Sequence, residues 1–230
     1  DALPQGAQRR TVALRIKLKA ARLARQTPVA LETARLLAKH RAFSPAAAQS
    51  LVRGLINEMI LGAHDLTQLQ GVWNGLDVAE REMPEIAIQA AQRLMALGAD
   101  GAMARSWLLP VWEQALARPD FLTDVQGVKL VRVLEVGLVS GDTVADRDWL
   151  ARIEMAQQRF VRDSNLQYLA GKACMNRQLW GKAQQLLSQA SIGLKDAGLR
   201  ASAWRALAEL AEQRGDAGGA AQAWKRAAES

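Results

Sequence analysis

The sequence predicts an all-α protein, and three observations carry that expectation. Of 230 residues, 43 are Ala and 32 are Leu, against 6 Pro and 3 Phe; Ala and Leu head the helix-propensity order and β-branched residues are a minority. Helix breakers cut the chain at short intervals: Pro28, Pro45, Pro84, Gly98, Pro119, Gly141, Gly181, Gly198 and Gly215. The segments between them, roughly 12–18 residues long, carry apolar residues at helical spacing. No segment sustains the alternation of a half-buried strand, so no sheet is expected. A chain that is 50% hydrophobic and 23% charged is neither disordered nor collagenous, and it is long enough for one or two ordinary cores.

Element by element, the first helix is expected over about residues 10–26, with Leu14, Leu18 and Ala21 on one face and Arg15, Lys19 and Arg22 on another. The second follows Pro28, whose missing N–H costs nothing at position N1, and turns Ala30, Leu31, Ala34, Leu37 and Ala38 inward. Pro45 and Pro84 open helices in the same way. Pro110 falls inside the helical pattern Met103–Ala117 and is expected to kink or split it. Asp163, Asp196 or Gly198, and Asp216 start the closing helices. About twelve helices result, in a single domain over 1–230 whose weakest points are the Arg118–Phe121 and Val139–Asp146 loops.

Charge is unevenly placed. The first 53 residues carry 11 basic and 2 acidic side chains, a net +9 that exceeds the chain's total of +7. Such a block points to an acidic partner, an anionic membrane surface or nucleic acid; the plain alternative is a solvated helix face beside a membrane anchor. Nucleic acid is disfavoured by the confinement of the charge and by the lack of a recognition motif; it would require affinity that falls steeply with salt. The single cysteine, Cys174, excludes an internal disulfide framework and fits a reducing compartment. No apolar run reaches the length of a membrane span.

Internal repeats are the most informative feature. Leu166–Ala190 aligns with Ala203–Ala227 at an offset of 37, pairing Ala170 with Leu207, Gly171 with Ala208, Cys174 with Ala211, Ala183 with Ala220, Leu187 with Trp224 and Ala190 with Ala227. Small residues recur where two antiparallel helices must approach closely, and larger ones where the pair must fill a groove. Residues 201–228 resemble the tetratricopeptide repeat through Trp204, Leu207, Ala208, Ala211, Gly215–Asp216, Ala220, Trp224 and Ala227. Residues 164–196 carry the same pattern through Tyr168, Gly171, Trp180, Ala183, Leu187 and Ala190, with a longer turn near Ser191–Asp196 absorbing the extra residues. Residues 10–160 fit as degenerate repeats. The resemblance implies a right-handed solenoid of antiparallel helix pairs.

A wider resemblance rests on the basic first helix, the run Ala30–Ser44, the segments Ser50–Leu55 and Leu69–Leu76, and the two closing repeats. Over about residues 10–228 the chain is similar to the repeat region of proteobacterial HemY proteins, inner-membrane proteins associated with late protoheme synthesis. That family carries two membrane helices and further helical repeats upstream. The resemblance therefore implies a fragment that starts at Asp1, anchored to the inner membrane by segments outside it, with this domain on the cytoplasmic side. It names a pathway without naming a reaction.

Catalytic chemistry finds little footing. His40 and His64 are the only histidines, 24 residues apart, with no Cys or carboxylate at metal-ligand spacing, so neither zinc nor a His-assisted nucleophile is expected. His40, in Lys39–His40–Arg41, suits the C-terminal end of the second helix, where it would favour the dipole. His40, His64 and Cys174, with Tyr168 fourth, are the candidate axial ligands if haem binds, although Cys174 falls at an inter-helix packing position. No GxGxxG or GxxxxGK[ST] motif occurs, and Gly215–Gly219 is explained as a turn between helices. The seven Trp residues read mainly as core fillers between Ala residues.

On the tetratricopeptide alignment the first helix of each pair lines a concave groove. That places Arg15, Lys19 and Arg22 in the groove, with Lys172 and Asn176 and then Arg205 and Glu209 in the closing repeats. A basic stripe of this kind can hold an acidic peptide, an anionic lipid surface or porphyrin propionates. The expected function is a non-enzymatic protein-interaction scaffold without cofactor, possible partners being haem-synthesis enzymes. The alternative is a carrier that hands haem or porphyrin between pathway enzymes.

Overall fold

The computed structural model describes residues 5–138 and 144–230. Among them thirteen α-helices occur, against the roughly twelve expected, and no strands, so the chain is all-α as composition and periodicity predict. The chain forms two compact units, Asp1–Leu97 and Gly98–Ser230. Among the described residues no helix is long and apolar enough to cross a membrane. Of the Val139–Asp146 loop, residues 139–143, with Gly141, lie outside the described residues.

The first unit contains α1 (Gln5–Leu23), α2 (Thr27–Lys39), α3 (Pro45–Gly62), α4 (Leu66–Asn74), α5 (Val78–Arg81) and α6 (Pro84–Ala96). α1 lies along α2 and α2 along α3, while α6 packs against α3, α4 and α5. Leu18 and Ala21 of α1 are buried, as are Ala30, Leu31, Ala34 and Leu37 of α2, whereas Ala38 is only half-buried. The starts follow local chemistry. Pro28, Pro45 and Pro84 stand at the first or second helical position. Ser44 Oγ accepts the Ala47 N–H at 3.3 Å, and Asp65 Oδ1 accepts that of Gln68 at 2.8 Å. The short α5, which periodicity did not reveal, is fixed by a capping box between Asp77 and Glu80. Glu80, buried, also takes a two-pronged pair from Arg35 of α2, Nε to Oε1 at 2.9 Å and Nη2 to Oε2 at 2.5 Å. This contact raises the Arg35 pKa above its ordinary value. Arg93 of α6 donates Nε and Nη2 to the Ala63 carbonyl at the end of α3.

The second unit contains α7 (Gly101–Ala117), α8 (Asp124–Gly137), α9 (Val144–Arg159), α10 (Ser164–Asn176), α11 (Trp180–Gly193), α12 (Ala197–Gln213) and α13 (Ala217–Glu229). α7 runs unbroken through Pro110, so the expected split does not occur. The lost backbone hydrogen bond costs about 3 kcal/mol. Burying Trp107, Leu108, Val111 and Trp112 on either side offsets it, at roughly 1.5–3 kcal/mol for each large apolar side chain. Trp112 meets Trp149 of α9 edge-to-face, with ring centroids 5.7 Å apart. Asp163, Asp196 and Asp216 cap α10, α12 and α13 as expected. Gly181 and Gly198 do not break helices: each lies in the first turn of one, α11 and α12. Four Trp residues are buried as expected, but Trp224 is 40% exposed, its Nε1 donating to Glu212 Oε1 at 2.7 Å.

The closing helices form two tight hairpins, α10–α11 and α12–α13. Each is joined by three residues, which forces the partners antiparallel. Gly171 of α10 makes the first crossing close, because a Cβ there would stand 2.7 Å from Leu187 Cγ. Among the described residues, four turns share one hydrogen-bond pattern about a residue with positive φ: Arg25, Arg41, Gln178 and Gly215. In each, that residue's N–H reaches three residues back and the next N–H reaches five back, which is the Schellman closure of a helix C-terminus.

Candidate functional site

The cationic residues read from the sequence gather where α1 leaves the first unit's core. Arg15, Lys19 and Arg22 are spaced four and three residues apart and form one stripe beside the buried Leu18. They are exposed, and no acidic residue lies between Ala2 and Leu31 to neutralise them. The turn after α2 faces them. Arg15 Nη2 donates to the Ala42 carbonyl at 2.7 Å, and its guanidinium stands over the Phe43 ring, 5.5 Å from the centroid.

Arg15, Leu18, Lys19, Arg22, Leu23 and Phe43 line an open depression of about 510 Å³. Phe43 also borders a second one of about 740 Å³, where Arg41 and the Glu80-paired Arg35 meet Asp77 and the apolar Ala38, Val52 and Met83. Arg22 borders a third of about 320 Å³ with Arg25 and Glu58. Of these three hollows only the first joins cations to apolar and aromatic side chains without a carboxylate in its lining; the second includes Asp77 and Glu80, and the third Glu58. Phe43 and Arg41 were not singled out in the sequence. The available signal was weak: one of three Phe residues, in the turn just after Lys39–His40–Arg41. The place of Phe43 beside α1 is a tertiary fact, and Arg41 stands with it in the second hollow.

The other sequence candidates lie elsewhere. His40 is the exposed C-cap of α2. His64 is exposed between α3 and α4, its backbone N–H bonded to Gln68 Oε1 at 3.0 Å. Cys174 is buried in α10, and burial pushes its thiol above the ordinary range. Tyr168 is buried too. Its hydroxyl makes no hydrogen bond of good geometry, and burial first, then the Glu135 carboxylate, push its pKa far up. Neither histidine, Cys174 nor Tyr168 lines any of these hollows, so these residues do not fit an axial iron site there. No cluster of metal-binding side chains occurs among the described residues.

Lys172 and Asn176 spend their polar groups on α8: Lys172 Nζ lies 3.6 Å from Glu135 Oε1, and Asn176 Nδ2 donates to the Leu138 carbonyl at 2.9 Å. Both tie α10 to its neighbour. Arg205 and Glu209 are exposed one turn apart on α12. The structure therefore brings Arg15, Lys19 and Arg22 together with Phe43 in the first unit, and places the remaining four groove candidates in the second. Comparison with protein-family models, curated proteins and solved structures returns no match.

Proposed function

We propose that the chain is a non-enzymatic scaffold that captures an acidic protein segment over the basic hollows of α1 and the α2–α3 turn. One observation carries the reading: Arg15, Lys19 and Arg22 converge on Phe43 with no acidic side chain in the first helix. The hollow beside Phe43 has no carboxylate in its lining, Glu58 bordering the neighbouring hollow with Arg22; cations so held gain from an anionic ligand, and an aromatic ridge beside them suits a peptide that alternates carboxylates with apolar residues. The paired hairpins of the second unit, with their identical turns, support a tetratricopeptide-like solenoid. The resemblance to HemY repeat regions would place that scaffold at the inner membrane, on its cytoplasmic side, in late haem synthesis.

A second reading draws on the same hollow, where cations beside an aromatic ring would also suit a porphyrin dicarboxylate. Because His40, His64 and Cys174 stand outside the hollow, this reading requires haemin and metal-free protoporphyrin to bind alike, through their propionates. The test is fluorescence anisotropy with a labelled Glu-rich peptide, competed by protoporphyrin. The triple variant R15E/K19E/R22E should lose peptide binding while keeping its helical circular dichroism. Equal binding by parent and variant rejects the site.

A further inference from the structure

The outward face of α1 is neither polar nor covered. Val12, Ile16 and Leu23 are 56%, 65% and 78% exposed, and with the exposed Ala20 they form a single stripe. This stripe points away from the core, because the buried Leu18 and Ala21 and the half-buried Leu14 lie on the other side. Helical spacing puts Lys19, Arg15 and Arg22 along one border and Lys17 and Arg10 along the other, with Arg9 at its N-terminal end. All six of these cations are exposed.

We infer that α1 is an interfacial helix that seats this stripe in the surface of an anionic lipid bilayer. An apolar strip bordered on both sides by Lys and Arg matches such a surface, where aliphatic groups enter the acyl boundary and the long cations reach phosphates. A second copy does not fit: pairing two α1 stripes sets cation against cation, with no carboxylate between Ala2 and Leu31 to compensate. The inference does not rest on the scaffold reading. Arg15 and Arg22 border the hollow with Phe43, and of the stripe only Leu23, at its C-terminal end, does so too; Val12 and Ile16 line none of the hollows around α1.

The test is co-sedimentation of the 230-residue chain with vesicles of phosphatidylcholine alone and of phosphatidylcholine with an equal part of phosphatidylglycerol. Binding is expected to the anionic vesicles only, and to weaken as salt rises. V12S/I16S should reduce it about tenfold, with helix content and thermal unfolding unchanged because both side chains are exposed. R10E/K17E, which leaves the hollow intact, should weaken it as well. No binding to anionic vesicles overturns the inference, as does binding that V12S/I16S leaves intact. Self-association that V12S/I16S abolishes, without vesicle binding, overturns it in favour of a second copy. Loss of vesicle binding by V12S/I16S, which leaves every residue of the hollow in place, with peptide capture retained separates this inference from the scaffold reading.

Discussion

Gln178 and Gly215 occupy the same left-handed backbone position, 37 residues apart, with φ of 58° and 73°. The Gln178 N–H reaches the Met175 carbonyl and the Leu179 N–H reaches that of Cys174; the Gly215 and Asp216 N–H groups reach Glu212 and Ala211 in the same way. The offset aligns Gly171 with Ala208 and Ala183 with Ala220, so the side-chain repeat extends to the hydrogen bonds of the turn.

Gly adopts that conformation freely, whereas Gln pays a Cβ penalty. Q178G should therefore stabilise the second unit by roughly 0.5–1 kcal/mol, and urea unfolding measures it. G215Q should destabilise by a similar amount, and equal midpoints for all three proteins would refute the shared strain.

Close approach in the α10–α11 hairpin makes an opposite demand. G171A forces a Cβ to within 2.7 Å of Leu187 Cγ and should cost about 1–3 kcal/mol by overpacking. Gly54, exposed within α3, has nothing within 4 Å of an added Cβ. G54A should instead gain about 0.5–1 kcal/mol from helix propensity. The two thermal shifts should have opposite signs.

Arg105 is the second unit's buried cation, its side chain 2% exposed. It donates to the Gly137 carbonyl at the end of α8 and to Asp146 of α9, where α7 and α8 cross at Gly101 and Gly137. R105L removes one partner of a buried pair and should cost about 3–5 kcal/mol. The double variant R105L/D146L should recover part of that loss, and a double-mutant cycle in urea measures the coupling. Additive losses would show that the pair is not coupled.

Asp196 holds the start of α12. The Leu199 N–H, at 2.8 Å, is the main cause that lowers its pKa; Arg132, at 2.9 Å, adds to it. Because the folded carboxyl releases its proton more readily than the unfolded one, its stabilisation is full above about pH 4 and fades as pH falls through the folded value. D196N should flatten that acid limb while costing no more than about 1 kcal/mol at neutral pH, since Asn also caps. Identical pH slopes for parent and D196N would remove Asp196 from the acid response.

Charge reversal at one more place distinguishes binding from solvation. Arg41, with φ of 51° in the α2–α3 turn, borders the hollow that shares Phe43 with Arg15. R41E should weaken capture of the Glu-rich peptide several-fold by Coulomb repulsion, and the loss should shrink at high salt. An unchanged dissociation constant would confine the peptide to the α1 side of Phe43.

The sequence by itself determined what is local. Proline and Asp caps set helix starts at Pro45, Pro84, Asp163 and Asp216, because the unpaired N–H groups of a first turn are satisfied within a few residues. The apolar spacing of Leu18, Ala21, Ala34 and Leu37 fixed the inward faces, and the 37-residue offset exposed the paired hairpins. Only the tertiary structure decided what depends on residues distant in the chain. It carried α7 unbroken through Pro110, since flanking burial outweighs one lost hydrogen bond. It engaged Lys172 and Asn176 with α8, buried Arg105 on the Gly137 carbonyl, and set Phe43 beneath Arg15. Such pairings arise from how helices cross, and the period of a single helix reports which face is apolar but not which neighbour meets it.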